Sequence, residues 1–377
     1  MPSRRIVQPL FFALVGLASA CQSTRDSRRF TREEISAELR KMEVVSLDLG
    51  EFPIDGASAV VDGDTIHVKG LQSSLRLLGL DTEETFKHED ERKAYAAGWD
   101  NYREKMRGNS PRPVKMATPM GEEAKVWAEG FFEGVQSVRL ERDHPGEIRD
   151  YYGRYLAYVM VYKNGRWLNY NIECVRAGYS PYFTKYGRSR RFHREFLEAQ
   201  KNAQEAKIGI WSPGKLHYPD YDERLKWWNN RESTITRFEK QMEDNPDNYI
   251  ALTRWDALTK LEGKVGEPVV LLGAVSEVTI AEKGPSVVKL SRTRNSDFDI
   301  VFFDKDVMLA SGVLFKRGEY VQVRGIVTRY RPKYLGRERL QLVVTLPGQV
   351  LAPSAELEQL LANEHPDTAE ARNLEGE

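Results

Sequence analysis

The sequence predicts a mixed α+β fold, and three observations support this prediction. Short alternating and apolar runs that are typical of strands fill residues 57–80, and runs of the same kind return near Val269. Two stretches with apolar residues at helical spacing, 121–134 and 188–207, accompany the first set of strands. Residues 213–262 have little strand character. We therefore predict a five-stranded OB-type β-barrel with packed helices, a helical connector and a second OB-like β-barrel.

Five main strands and two helices are expected in the first barrel. The strands are predicted at 57–62, 65–69, 74–80, 135–140 and 154–162. An Asn-Gly pair follows the last of them, and because this pair favours a two-residue turn we expect a short return strand at 166–168. Each helix carries an apolar stripe that would pack against the barrel.

The second half of the chain changes from a helical to a strand-like pattern. The helical spacing is interrupted at Asn245-Pro246, which indicates a break between two helices. From Gly263 onward β-branched residues become frequent, and strands are predicted at 269–272, 275–280, 287–290, 299–303, 320–330 and 339–344. This set is similar to the strands of nucleic-acid-binding OB domains.

Composition excludes several classes of protein. The chain has 377 residues with 56 basic and 56 acidic side chains, so any electropositive surface for nucleic acid must be local. After position 21 no apolar run reaches the length of about 20 residues that a membrane span requires. The six histidines are scattered without the spacing of zinc ligands.

The N-terminus has the pattern of an export signal. Arg4 and Arg5 precede the apolar run 6–18, and the small residues 18–20 come directly before Cys21. The pattern resembles a bacterial lipoprotein signal, which implies lipidation of Cys21, a membrane anchor and a location in the cell envelope. The alternative is ordinary secretory cleavage with an incidental cysteine, which would make the protein periplasmic or secreted.

Four short motifs carry the chemistry. They are Asp62-Gly63-Asp64-Thr65, Arg76-Leu77-Leu78-Gly79-Leu80-Asp81-Thr82, Tyr152-Gly153-Arg154-Tyr155-Leu156-Ala157-Tyr158 and Gly209-Ile210-Trp211. Clustered carboxylates can hold a hard cation such as Ca²⁺, and two arginines can clamp a phosphate. A nearby glutamate can take a proton from water. Together these are the parts of metal-assisted phosphodiester hydrolysis.

The four motifs, in this order, resemble the thermonuclease family, whose members are staphylococcal-nuclease-like domains. The resemblance covers roughly residues 52–211 and implies an exported, Ca²⁺-dependent nuclease that cleaves DNA or RNA with little sequence preference. The resulting domain prediction is a signal peptide at 1–20, a tether at 21–52, a thermonuclease-like domain at 53–212, a helical connector at 213–262, an OB-like barrel at 263–352 and a disordered acidic tail at 353–377.

The resemblance implies a metal site. Asp64 and Asp81 would be carboxylate ligands of Ca²⁺, Thr82 would add its backbone carbonyl, and Asp62 would stand close by. A physical argument agrees, because Asp64 follows one strand and Asp81 ends another, and carboxylates on adjacent strands about 5 Å apart repel unless a cation lies between them. Aspartates that only cap turns are the alternative.

The resemblance also implies the catalytic groups. Glu84 would be the general base, and Arg76 with Arg154 would clamp the phosphate. For Arg76 a structural ion pair with Glu84 or Asp81 is the alternative, because a buried arginine needs an anionic partner. Tyr152, Tyr186 and Arg188 would contact the substrate, with ordinary packing or a solvated helix start as the alternative reading of those three side chains.

Two features depart from the family pattern. Glu83 occupies a position where family members generally have proline, which removes a constraint on the loop that carries Glu84 and adds a negative charge. Residues 86–120 are longer than the corresponding family segment, and we interpret them as a solvated surface insertion, with a segment that shapes substrate access beside the candidate site as the alternative. Glu83 leaves open a second function, a nucleic-acid-binding module without useful turnover. A scaffold whose OB-like barrel binds protein or glycan is a third.

Overall fold

The computed structural model describes Thr31 and residues 46–145, 150, 152–254, 256–291, 297–331 and 338–351. The predicted signal peptide, Cys21, most of the predicted tether and the predicted acidic tail lie outside these residues. The described residues from Ser46 onward belong to one compact unit. Within them no helix has both the length and the apolar character that crossing a bilayer requires.

Strands of the first barrel region surround the motif residues. They are β1 (Asp48–Pro53), β2 (Val60–Asp62), β3 (Thr65–Ile66), β4 (Leu75–Leu77), β5 (Ser137–Glu141), β6 (Tyr155–Lys163) and β7 (Arg166–Asn169). The sheet order is β1-β5-β6-β4, with β7 paired to β6, while β2 pairs with β3. β4 and β6 run parallel with Leu75 opposite Tyr155, so Arg76 and Arg154 lie on neighbouring strands or directly beside them.

The first barrel region begins earlier than expected. β1 lies in the segment predicted as tether and pairs antiparallel with β5. The predicted hairpin between β6 and β7 is present, with Asn164 at φ 52° and Gly165 at φ 78°, as its two-residue turn requires.

Helices cover this region. They are α1 (Glu89–Ala96), α2 (Trp99–Arg107), α3 (Pro119–Phe132), α4 (Tyr170–Arg176) and α5 (His193–Ala206). α3 and α5 confirm the two predicted long helices, although α5 begins at His193 rather than at Arg188. α3 follows Thr118, whose hydroxyl accepts a hydrogen bond from Gly121 N at 3.0 Å and so caps the helix.

The interpretation of residues 86–120 as a solvated insertion was wrong. Phe86 and Tyr102 are buried with ring centroids 6.2 Å apart, and their cluster continues through Tyr218 and Tyr221. A dense charge run, residues 87–93, lies mostly on α1, which contains no buried residue, while the side chains that build the cluster lie mostly outside that helix. The charge run therefore concealed a segment that forms part of the core.

The second barrel closes on itself. Its strands are β9 (Pro268–Thr279), β10 (Ser286–Leu290), β11 (Phe298–Phe302), β12 (Tyr320–Tyr330) and β13 (Arg339–Val344), with a short β14 (Val350–Leu351) added to β12. Pairing follows the ring β9-β10-β11-β13-β12, and β12 pairs again with β9. A helix, Lys305–Ala310, lies between β11 and β12. This five-stranded ring is the predicted OB-like barrel.

A long helix lies between the barrels. It is α6 (Tyr221–Asp244), and it ends at the predicted break. β8 (Tyr249–Ala251) and α7 (Ala257–Glu262) follow it. The helix Lys305–Ala310 in the second barrel is α8. β8 pairs in parallel with β9, which adds a strand where the sequence predicted only helices. On α6, Trp228 packs edge-on against Phe183 at 4.8 Å, and Phe238 packs against the second barrel. The predicted domain boundaries stay a prediction.

Candidate active site

An arginine and two aspartates meet where β3 and β4 approach the following loop. Arg76 on β4 donates a hydrogen bond from Nη2 to Asp81 Oδ1 at 2.7 Å and another from Nη1 to Asp64 Oδ2. Nη2 also donates to Leu80 O at 3.2 Å. The Arg76 side chain is only 13% exposed, so these ion pairs are largely screened from water. The ion pair that the sequence allowed for Arg76 is therefore present, and its partners are both predicted metal ligands.

Positive charge compensates these two carboxylates. Burial by itself would raise the pKa of Asp64, but the charges of Arg76 and Lys115 outweigh it and lower that pKa to about 2. Burial also acts against ionisation of Asp81, yet Lys115 and Arg76 lower its pKa as well. Lys115 Nζ lies 2.8 Å from Asp81 Oδ1. Both aspartates are therefore ionised at neutral pH.

Asp62 is the least compensated carboxylate of the group. It is buried, and its Oδ1 atom has no hydrogen-bond partner among the described residues. Its Oδ2 atom lies 3.4 Å from Lys87 Nζ. Burial and the charge of Asp64 raise the pKa of Asp62 to about 6. We call Asp62, Asp64, Asp81 and Arg76 the carboxylate cluster.

A close backbone approach positions Thr82 against the Asp62–Asp64 turn. Thr82 is buried, and a Cβ atom added to Gly63 would lie 2.7 Å from Thr82 Cγ2. Tyr170 stabilises the turn, because its hydroxyl donates a hydrogen bond to Gly63 O at 2.8 Å. Only glycine at position 63 lets the two loops approach this closely.

Glu84 is held at the edge of the carboxylate cluster by α3. Glu84 O accepts a hydrogen bond from Thr118 N at 3.0 Å, and a Cβ atom on Gly121 would lie 2.1 Å from that same carbonyl oxygen. The Glu84 carboxylate, 32% exposed, lies 3.1 Å from Lys87 Nζ and 3.2 Å from Lys115 Nζ. Because Lys115 contacts both Glu84 and Asp81, these two carboxylates lie on either side of one ammonium group.

Glu83 does not add charge to the carboxylate cluster, contrary to the expectation from the sequence. Its side chain is buried and accepts hydrogen bonds from Tyr218 N at 2.7 Å and from the Tyr221 hydroxyl at 2.6 Å. The Thr118 hydroxyl donates a third. Burial raises the pKa of Glu83, and these hydrogen bonds act in the opposite direction. Glu83 thus ties the loop that carries Glu84 to α3 and to the chain around the start of α6.

Arg154 is oriented by its own loop. Asp150 Oδ2 accepts from Arg154 Nε at 2.7 Å, and Asp150 Oδ1 accepts from Arg154 N at 2.9 Å. The guanidinium carbon lies 5.5 Å from the ring centroid of Tyr152, which is 66% exposed. Among the described residues, the side chain of Arg154 forms no ion pair with the carboxylate cluster, and only its backbone lies beside β4.

The remaining predicted substrate contacts divide between two surfaces. Phe183 lies 5.4 Å from the guanidinium of Arg76, and Tyr186 packs edge-on against Phe183 at 5.6 Å with 63% of its surface exposed. Tyr186 is therefore connected to the carboxylate cluster. Arg188 instead faces α6, where its Nε atom lies 3.7 Å from Glu232 Oε1.

The donor set suits a hard cation. Carboxylate oxygens from Asp62, Asp64 and Asp81 and the Thr82 carbonyl are the ligand types that Ca²⁺ prefers. In the part of the chain that the structure describes, no three Asp, Glu, His or Cys side chains converge closely enough to hold a metal by themselves. The unpartnered Asp62 Oδ1 atom is the observation that favours a cation, since a buried carboxylate oxygen is costly without one.

Sequence reasoning missed two lysines and two tyrosines. Lys87 and Lys115 contact the carboxylates, and Tyr218 and Tyr221 hold Glu83. None of them belongs to one of the four motifs, and apart from the contact of Lys87 with Glu84 three positions before it, each meets its partner through the tertiary fold. Their only signal was indirect, namely the unusual length of the segment that carries the lysines.

Comparison with known proteins gives one matching family model and several similar relatives. The family model described as "Staphylococcal nuclease homologue" matches residues 74–213. An uncharacterized protein of Methanocaldococcus jannaschii is 30% identical over 155 residues, which are 41% of this chain and 69% of that protein. A thermonuclease of Staphylococcus hyicus is 34% identical over 156 residues, covering 41% of this chain and 72% of the relative. A thermonuclease of Staphylococcus intermedius is 30% identical over 158 residues, with 40% and 72% covered.

Proposed function

The chain belongs to the staphylococcal nuclease family, and on that premise we propose that it is a Ca²⁺-dependent nuclease of low sequence specificity. Its substrates would be the phosphodiester bonds of DNA or RNA. The observation that carries this proposal is the bridge formed by Lys115 Nζ between Asp81 Oδ1 at 2.8 Å and Glu84 Oε1 at 3.2 Å. The shared ammonium group holds a metal-ligand candidate and the candidate base at one place, which metal-assisted hydrolysis requires of them.

Glu84 is the candidate general base. Its carboxylate is partly exposed and lies at the edge of the carboxylate cluster, where a water molecule can reach it. Asp64 is deeply buried and ion-paired, which makes it a poor base. Glu83 is buried and accepts three hydrogen bonds, so it cannot exchange protons readily with bulk water.

Arg76 and Arg154 are the candidate phosphate clamp. Positively charged donors that face a developing oxyanion stabilise the transition state of phosphoryl transfer. β4 positions Arg76, and Asp150 orients the guanidinium of Arg154. Ca²⁺ held by Asp64, Asp81 and the Thr82 carbonyl would add Lewis-acid stabilisation of the same phosphate.

The test is cleavage of a labelled single strand by the full chain, with Ca²⁺ and with a chelator. Fragments that appear with Ca²⁺ and disappear with chelator support the nuclease. Tight binding without fragments in either condition would instead favour the catalytically inactive binding module. If the protein neither cleaves nor binds the strand, both functions are ruled out.

We also propose that the protein is exported and anchored by a lipid on Cys21. The support is the sequence of the N-terminal segment alone, in which basic, apolar and small residues precede that cysteine. Replacement of Cys21 by serine should release the protein from the membrane fraction of expressing cells. If the variant and the wild type fractionate alike, the anchor is ruled out.

A further inference from the structure

A group of cationic side chains surrounds one face of α6 beside the carboxylate cluster. Lys185 Nζ lies 4.6 Å from the ring centroid of Trp227, and the guanidinium carbons of Arg112 and Arg231 lie 5.0 and 5.6 Å from it. Trp227 belongs to α6, which lies beyond the residues that the family model matches. The arrangement therefore combines Lys185 and Arg112 from the matched region with Trp227 and Arg231 from a helix beyond it.

Lys185 is the member of this group that lacks an anionic partner. Among the described residues no carboxylate lies within ion-pair distance of its Nζ atom, although the side chain is half-buried. Burial and the charge of Arg231 lower the pKa of Lys185 to about 8. An ammonium group in this environment is stabilised by an incoming anion, because the surrounding protein does not neutralise it.

The second barrel holds the group in place. Glu319, at the start of β12, accepts a hydrogen bond from Trp227 Nε1 at 3.0 Å and forms an ion pair with Arg112. Arg231 is buried and donates to Lys185 O at 3.0 Å and to Gly318 O. Arg231 thus ties the backbone of Lys185 to the chain just before β12.

Tyr186 connects this group to the carboxylate cluster. Tyr186 is 63% exposed, and burial raises the pKa of its hydroxyl. Lys185 Nζ lies 5.5 Å from the Tyr186 ring centroid. Phe183 then joins Tyr186 to Arg76. An exposed ring with an ammonium group beside it offers one surface for a base and one for a phosphate.

We propose that Lys185, held beside Trp227, binds the phosphate next to the scissile one in a single-stranded nucleic acid, adjoining Tyr186, which the family resemblance already implies as a substrate contact. We call these three residues the Trp227 subsite. Trp227 positions the ammonium group, and the strand continues from the carboxylate cluster toward the second barrel. The proposal rests on the proposed nuclease function and adds to it a second phosphate contact, which depends on α6.

The preference for a single strand follows from the stacking surface. A base can lie flat on an exposed aromatic ring only after it has left its own stack, which costs little in a single strand and several kilocalories per mole in a duplex. The same contacts are available to DNA and RNA, because a phosphate and a base face are common to both.

The test measures binding of the full chain to a fluorescent single strand of about twelve nucleotides, a length suited to an extended groove, with chelator present to keep the strand intact. Lys185→Met should weaken binding about tenfold and lower the slope of log affinity against log salt by about 0.7, the loss expected for one phosphate contact. Lys185→Arg should restore both quantities. Lys240→Met, an exposed lysine 13 positions further along α6, is the matched control and should change neither.

Tyr186→Leu gives an independent readout and should weaken binding roughly tenfold with little change in the salt slope, because stacking releases no counterions. A duplex of the same sequence should bind more weakly and respond less to either change. Equal affinity and slope for Lys185→Met, Lys240→Met and the wild type would overturn the subsite. The single-strand assignment would be overturned if the duplex bound the wild type as tightly as the single strand does and lost as much affinity in the two variants.

These outcomes are separate from the test of the proposed function. Cleavage with Ca²⁺ by the wild type, together with unaltered binding by Lys185→Met, would keep the nuclease and reject the Trp227 subsite. Binding that depends on Lys185, without cleavage under any condition, would reject the nuclease and keep the subsite.

Discussion

At the scale of single residues, Glu83 has the clearest structural role outside the candidate catalytic groups. It precedes the candidate base and is anchored by Thr118, Tyr218 and Tyr221. A proline at this position would restrain the loop through its own ring, whereas here three hydrogen bonds from distant parts of the chain restrain it. The loop that carries Glu84 is therefore fixed by tertiary contacts rather than by local backbone geometry.

The buried Glu83 predicts a pH dependence of stability. Burial raises its pKa in the folded state above the ordinary 4.5, so the folded state holds a proton that the unfolded state has already lost. Its contribution to the free energy of unfolding should be complete below pH 4.5 and should fall as pH rises through the raised pKa. Urea unfolding between pH 4 and 8 should show that Glu83→Gln gains stability relative to wild type as pH rises. A constant difference across this range would contradict the prediction.

Substitution of the two arginines of the candidate clamp should affect stability and turnover differently. Arg76→Ala removes the guanidinium that pairs with both Asp64 and Asp81 in a buried site and should cost ~3–5 kcal/mol of stability as well as activity. Arg154→Ala removes a side chain held only by its own loop, so it should lower turnover by about 10²–10³ with little effect on stability. Cleavage rates and thermal melts of both variants check this. Normal turnover in Arg154→Ala would rule out its place in the clamp.

At the scale of elements, the first turn of α3 supports the candidate base. Gly121 approaches the Glu84 carbonyl so closely that any side chain must move the loop, since its Cβ would lie 2.1 Å from that oxygen. Gly121→Ala should therefore lower both stability and cleavage rate. Gly130→Ala is the matched control in the same helix, where a Cβ meets nothing within 4 Å. That change should stabilise by ~0.5–1 kcal/mol through helix propensity. Equal effects of the two changes would contradict the packing argument.

The elements that the sequence predicted are those with strong local signals. The Asn164-Gly165 turn, the apolar stripes of α3 and α5, and the β-branched strands of the second barrel depend on neighbouring residues alone. The strand β1 and the three-residue strand β8 were missed because each forms through pairing with a strand elsewhere in the chain. The buried part of residues 86–120 was missed because its aromatic residues pack against Tyr218 and Tyr221.

At the scale of the whole molecule, α6 joins the candidate site to the second barrel. Trp228 packs on Phe183, Arg224 donates to Val114 O, and Phe238 lies in the core beside β9. A chain that ends after Trp211 would leave Glu83 without two of its three donors. It should therefore be less stable than a chain that ends after Asp244. Urea unfolding of the two truncated chains measures this, and equal stability would mean that α6 is dispensable for the nuclease region.

The candidate site could be predicted only as far as its motifs reach. The approach of Asp64, Arg76 and Asp81 follows from the order of strands, and the structure brings these three together. The lysine bridge to Glu84 and the anchoring of Glu83 depend on residues more than 30 positions away in sequence, so no local pattern contains them. The same is true of the Trp227 subsite, which needs contributions from both barrels and from α6.

The most direct test of the central claim is the pair of cleavage rates for Glu84→Gln and Glu83→Gln, measured on one single-stranded substrate with saturating Ca²⁺. If Glu84 is the general base, Glu84→Gln should fold normally and lose about 10²–10⁴ in rate. Glu83→Gln should stay close to wild type, because glutamine can keep hydrogen bonds to Tyr218, Tyr221 and Thr118. An active Glu84→Gln beside an inactive Glu83→Gln would contradict the assignment of the base and with it the proposed mechanism.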